Sequence, residues 1–191
     1  MSYRAPRLFC GIDLNTGRLV TPYKRVALED RELLLLPVYD DDGEMIDEWL
    51  QARPDVAALI QYPRPWDGKG VFFSNLWKYG AGCAWIVHTE ERADIGLVWA
   101  HPHPGLDPEQ ILPRPMWNIA GCADPDYERP PGQAARALQL VAAHVRSLGE
   151  IPVVFIPCGN TEYLEWAKES GLPWRSHDAH SFQEQATEPS Q

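Results

Sequence analysis

An amphipathic helix that runs straight into a wholly apolar stretch constrains this chain more than any other feature. After Ala134 the apolar positions Leu138, Val141, Val145 and Leu148 recur at three- and four-residue spacing. That period predicts a helix, and Gly149 is placed to close it. "IPVVFIPC" at 151–158 follows. An apolar stretch this short predicts a strand covered on both faces, hence a central one. "TEYLEWAKESG" then predicts a second helix, capped at Asn160 or Thr161 and ended by Gly171.

The rest of the chain supplies partners for that strand. "CAWIVHT" at 83–89 and "ADIGLVWAH" at 93–101 read as strands joined by the polar "EER", a hairpin. "MWNIAGCA" at 116–123 is a further strand, after a proline-rich loop over 102–115. Nearer the start, residues 7–14 and "RLVT" flank the turn "NTG", which predicts a hairpin. "LLLLPVY" at 33–39 reads as a strand that Pro37 puts at an edge or a bend. The acidic "DDDGE" at 40–44 opens a helix that Pro54 ends. Residues 56–62 fit a strand or a short helix, and the aromatics of 71–80 fall at helical spacing. The mixture predicts an α/β (mixed α+β) fold over residues 1–180, around a central mixed sheet, with an irregular N-terminal extension and a disordered tail at 181–191.

Composition removes several function classes. The net charge of -10 argues against general nucleic-acid binding, which needs Lys and Arg on phosphates, and against an anionic membrane surface. No stretch approaches a membrane-spanning length, and "MSYRAPRLFCGIDL" has no signal-peptide core. The expected location is the cytoplasm. Cys10, Cys83, Cys122 and Cys158 form no C-x-x-C pair, so reduced, mostly buried thiols are expected. The eight tryptophans, among them Trp66, Trp77, Trp85, Trp99 and Trp117, predict a large aromatic core.

The order strand, glycine turn, long helix, strand, Asn-capped helix resembles the core of the GNAT superfamily of acyl-CoA-dependent N-acyltransferases, over about residues 83–173. "RPPGQA" is similar to that family's Gln/Arg-x-x-Gly-x-Gly/Ala, through Arg129, Gly132 and Ala134, and "PDY" precedes it. Asn160 and Gly171 keep the family's eleven-residue spacing. The resemblance implies transfer of an acyl group from acetyl-CoA, or another acyl-CoA, to a small-molecule or amine-bearing acceptor, and leaves a homodimer open. It implies that Gly132, Gln133, Ala134 and Ala135 present backbone N–H groups to the pyrophosphate, with Arg129 assisting and Asn160 binding the pantetheine arm or orienting the reacting end. The physical basis is independent of the family: an unpaired first helical turn carries partial positive charge, and glycine admits a phosphate closely.

The chain departs from the family pattern in three places. Pro130 and Pro131 remove two backbone donors from the turn. The stretch between "PDY" and Arg129 is one residue longer than usual. The position of the family's proton-donating tyrosine is Ala167, with Tyr163 one turn earlier and Trp166 adjacent. Candidate catalytic groups are Tyr163, Glu128, His101 and His103, the last three as bases for the amine. Two other readings follow. A chain with these departures would serve as an inactive GNAT-like binding module. Alternatively His101 and His103, two apart on one side of an extended segment, would share a metal in a hydrolase. Asp107, His88 or Asp94 would then complete that site, with "HDAH" (His177, Asp178, His180) as a further source.

Overall fold

The computed structural model describes residues 11–12, 19–20, 26–60, 66, 68–69, 82–102 and 116–177. β1 (Gly11–Ile12) and β2 (Leu19–Val20) form the expected antiparallel hairpin. β3 (Leu28–Glu29) and β4 (Leu33–Pro37) lead through a short 3-10 turn, Asp40–Asp42, into α1 (Gly43–Ala52). Pro54 does end that helix, and it also begins α2 (Pro54–Ala57), where proline's missing N–H costs nothing. Of the ambiguous 56–62 stretch, Val56 and Ala57 belong to this helix, and Ala58 and Leu59 form a turn after it. β5 (Cys83–Thr89) and β6 (Gly96–Pro102) are the predicted hairpin, followed by β7 (Met116–Ala123). α3 (Gln133–Ser147), β8 (Ile151–Pro157) and α4 (Thr161–Ser170) keep the expected order, and β9 (Trp174–His177) closes the sheet. The expectations for 71–80, 103–115 and 181–191 lie outside the described residues.

Among the described residues β3 to β9 form one seven-stranded sheet in chain order. β3 to β7 are antiparallel neighbours, while β7–β8 and β8–β9 are parallel. This is the mixed α/β class with a central mixed sheet, in the expected order of strand, glycine turn, helix, strand and Asn-capped helix. Parallel neighbours need crossovers, and α3 and α4 supply them. The two helices pack on each other, and α3 also packs on β6, β7 and β8. α1 and α2 pack on β7 as well. Every residue of β7 is buried, so both its faces are covered. One face lies under α3, and α1 and α2 lie on the other.

The core is aromatic, as the composition predicts. Trp85, Trp99 and Trp117 are at most 2% exposed. Trp77 lies outside the described residues. Trp85 donates its indole N–H to the Val26 carbonyl at 2.8 Å, tying the N-terminal segment to β5. Its ring meets the His144 imidazole of α3 edge-on, centroids 5.5 Å apart. His144 Nε2 is buried with no hydrogen-bond partner among the described residues, and burial holds this imidazole below its ordinary pKa of 6.5.

This gives a pH prediction with a definite sign. Below about pH 6.5 the unfolded chain protonates His144 while the folded chain does not. Stability therefore falls as pH drops from 6.5 toward the depressed folded value. Half-buried His88, also held low by burial against the opposing pull of Asp94 and Asp42, adds a slope of the same sign. Urea midpoints measured between about pH 7.5 and about pH 5 are expected to fall with pH, and His144→Phe to flatten the slope in part. An unchanged slope in that variant would remove His144 as a contributor.

Candidate functional site: the gap between β7 and β8

β7 and β8 begin as partners and then part. Only Met116–Ile119 of β7 pair with β8, against Ile151–Val154. From Ala120 onward β7 pairs with β6 alone, while the end of β8, through Pro157, pairs with β9. A gap opens between the two strands beyond these pairs. Gly121 sits on the β7 edge. A Cβ there would lie 2.6 Å from the Leu97 carbonyl oxygen and 3.2 Å from Val98 Cγ2, so the strand can hold only glycine.

The gap is met by α4. The Tyr163 hydroxyl, 0% exposed, accepts the Gly121 N–H at 2.5 Å. Asn160 explains why Tyr163 arrives there: its Oδ1 accepts the Tyr163 backbone N–H at 2.8 Å, capping α4 and setting the helix phase. Burial raises the Tyr163 pKa above its ordinary value, the Gly121 hydrogen bond opposing. The phenol stays protonated, and its own proton has no protein acceptor among the described residues. Cys122, next along β7, is pushed up to about 12 by burial and is a thiol, not a thiolate. An apolar cleft of about 40 Å³ joins Gly121, Cys122, Ala134, Leu138, Tyr163 and Trp166.

The N-terminus of α3 opens beside this cleft. Gly132 caps it in the left-handed region, φ +79° and ψ −13°, and a Cβ added there would meet nothing within 4 Å. Two larger clefts flank it, about 440 Å³ on the Arg129 and Trp166 side and about 600 Å³ on the Arg136 side. Not all the expected donors are free. The Gln133 N–H bonds to the Pro130 carbonyl at 3.3 Å, because the Pro-Pro turn folds that carbonyl back onto the helix. The N–H groups of Ala134 and Ala135 have no backbone acceptor among the described residues, as expected for a first turn.

A ladder of charges bridges the mouth of the gap from the face of α1 and α2 to the face of α4. Asn160 Nδ2 donates to Asp55 Oδ2 at 2.6 Å. Arg53 holds Asp55 through Nε and Nη2, at 3.3 and 3.5 Å. Its Nη1 lies 3.6 Å from Glu162 Oε2. The other oxygen of Glu162 is 2.5 Å from Arg129 Nη2, and the Arg129 guanidinium stacks over Trp166 at 4.1 Å. Burial raises the Asp55 carboxyl, but the hydrogen bonds from Arg53 and Asn160 outweigh it and the net shift is downward. Burial depresses Arg129 against the pull of Glu162.

The gap therefore brings together Arg129, Gly132, Gln133, Ala134, Asn160 and Tyr163 from the sequence candidates. Several of them sit differently from expectation. Asn160 is engaged at both ends of its amide, as a cap and on Asp55, with one of its two Nδ2 hydrogens used in the second contact. Arg129 is already paired with Glu162, and the Gln133 N–H is taken. Tyr163 lies in the gap although the family spacing puts the tyrosine at Ala167, which is buried in the helix packing. Glu128 is exposed in the outer cleft. His101 is buried on β6 opposite Asn118, away from the parted ends of β7 and β8. His103, Asp107, Asp178 and His180 lie outside the described residues. His88 and Asp94 face each other at the hairpin end of β5 and β6, 3.6 Å apart, at the far end of β6 from His101. Among the described residues no group of three His, Cys, Asp or Glu is placed to hold a metal. Cys83, Cys122 and Cys158 are free, but Cys158 is exposed, in the turn between β8 and α4 where no packing covers it. No helix of the described residues is long and apolar enough to cross a membrane. Arg53, Asp55 and Glu162 have no sequence signal beyond Glu162 falling in the first turn of a helix.

No protein-family model and no curated protein matches the chain. Among solved structures it is similar to a protein of Sphaerobacter thermophilus assigned as an acetyltransferase, at 18% identity and a TM-score of 0.47, over 76% of this chain and 81% of that one. It is also similar to a Bordetella pertussis protein assigned to the GnaT-family acetyltransferases, at 17% identity and a TM-score of 0.48, over 76% of this chain and 87% of that one.

Proposed function

We propose that the chain transfers an acyl group from an acyl-CoA, acetyl-CoA in the simplest case, to an amine. The observation that carries this is the gap between β7 and β8, with a peptide N–H and a phenol meeting inside it beside a glycine-capped helix N-terminus. An extended ligand rich in amides can lie between parted strands and pair with their backbone, as an added strand would. The pantetheine arm of CoA is such a ligand. Its pyrophosphate then falls toward Gly132, where the Ala134 and Ala135 N–H groups and the helix dipole favour an anion.

The residues of the gap suit the chemistry. The acceptor nitrogen attacks the thioester carbonyl carbon, a C–N bond forms, and the C–S bond breaks. Negative charge develops first on the carbonyl oxygen, where the Gly121 N–H is a fixed donor once the thioester displaces Tyr163 from it. The departing sulfur then takes the Tyr163 proton, and the proton lost by the amine replaces it on the phenol, directly or through water. A relay of this kind fits a phenol whose raised pKa disfavours a free phenolate.

Calorimetric titration with acetyl-CoA tests the reading. One-to-one binding in the micromolar range is expected. Absence of binding would discard it. Binding without turnover against any amine would leave a binding module in its place.

A further inference from the structure

Arg53 is held beside the N-terminus of α4, the helix that carries Tyr163. Its Nε–Nη2 edge is on Asp55, and Asp55 is itself fixed by Asn160, the cap of the helix that carries Tyr163. The guanidinium is thus oriented by two elements, α2 and α4, while only 22% of the side chain is exposed. Its remaining terminal nitrogen, Nη1, is loosely partnered. The Glu162 oxygen lies at 3.6 Å, inside ion-pair reach but beyond a hydrogen bond. Glu162 makes its close contact elsewhere, on Arg129 at 2.5 Å, and its side chain is 49% exposed. The contact between Arg53 and Glu162 is therefore the weak rung of the ladder.

Position gives this rung a role. Arg53 belongs to the α1–α2 junction, on the face of β7 opposite α3, whereas the glycine-capped helix end belongs to the α3 face. A donor entering over α3 leaves the α1–α2 side of the gap to the other substrate. Asp55 bonds Asn160, and Asn160 holds the backbone N–H of Tyr163, so this junction adjoins the gap. Of the two carboxylates that face this guanidinium, Asp55 is hydrogen-bonded and Glu162 is not, so an incoming anion can take the place of Glu162. Arginine's planar fork suits a carboxylate in particular.

We propose that Arg53 binds the carboxylate of the acceptor, and that the acceptor is an amino-carboxylate, a small molecule bearing both the reacting amine and a carboxylate. The ligand carboxylate replaces Glu162 on Nη1, while Glu162 keeps Arg129. Asp55 and Asn160 act as positioning residues for that guanidinium. This inference rests on the acyl-transfer reading above.

The test is an acceptor panel in which each amino acid is paired with its methyl ester and with the amine lacking its carboxylate, assayed by release of the CoA thiol. The amino acid is expected to exceed both partners by at least about tenfold in kcat/KM. Arg53→Gln is expected to erase that preference, chiefly through KM, with acetyl-CoA affinity unchanged, and Arg53→Lys to restore part of it. Preference for acceptors without a carboxylate would overturn the proposal. So would an Arg53→Gln effect equal on both members of a pair. The wild-type panel decides the first point even if the variant fails to fold. Failure of acetyl-CoA to bind the wild type would overturn the acyl-transfer reading itself, and this proposal with it.

Discussion

Tyr163→Phe is expected to lower kcat with acetyl-CoA and an amine by about 10²–10⁴-fold, the usual contribution of a positioned proton donor. The change removes one oxygen and keeps the ring that packs against Trp166, centroids 5.1 Å apart. Acetyl-CoA affinity should change little, because the phenol meets the thioester end and not the pyrophosphate. Stability should fall by about 1–3 kcal/mol, since the Gly121 N–H loses its acceptor in a buried gap. The two effects separate in one experiment. Steady-state turnover reads the first, and urea denaturation of the same sample reads the second. A variant that loses stability but keeps kcat would leave Tyr163 as a strut between α4 and β7 and take the relay out of the mechanism.

Gly132→Glu is expected to weaken acetyl-CoA binding by at least about 100-fold, close to 2.7 kcal/mol. The residue sits where an anion would approach the α3 N-terminus, and the new carboxylate would take the favourable field there itself. The space around it is open, so no clash follows from the side chain. The cost to the fold is the left-handed backbone, about 1–2 kcal/mol for a residue with a Cβ. Gly132→Asn is the control, because asparagine tolerates that conformation and brings no charge. Asn should keep most of the affinity that Glu removes. Equal affinities in the wild type and Gly132→Glu, by calorimetry, would place the pyrophosphate elsewhere or nowhere on this chain.

Much of the frame is legible in the residues because its signals are local. The spacing of Leu138, Val141 and Val145 gives α3 its buried stripe, and all three are buried. The apolar run that forms β8 is buried from Pro152 onward. Gly149 and Gly171 adopt positive φ just beyond α3 and α4, and Asn160 caps α4. β9 carries no such signal, for an equally physical reason. Its residues Trp174, Arg175 and Ser176 are exposed and lack any period, so only the free edge of β8 makes them a strand.

The gap itself is not written in any local pattern. Tyr163 meets a backbone group 42 positions earlier, and Asn160 meets a carboxylate 105 positions earlier. The resemblance to the family implies Ala167 as the position of its tyrosine. Tyr163, one turn nearer, is the residue that reaches Gly121, because β7 and β8 part after Ile119 and Val154 and the first turn of α4 meets the opening. Likewise nothing local marks Arg53, a residue before a proline, and only the fold carries the α1–α2 junction to the mouth of that gap. By itself, then, the sequence determined α1, α3 and α4, the cap of α4, the buried strand β8 and the mixed class, since periodicity and backbone preference act over a few residues; that β8 lies next to the sheet edge and not at its centre was set by the pairing with β9. Only the tertiary structure decided where two parallel strands separate and which side chains face each other across the opening, since those contacts join segments that no spacing rule connects.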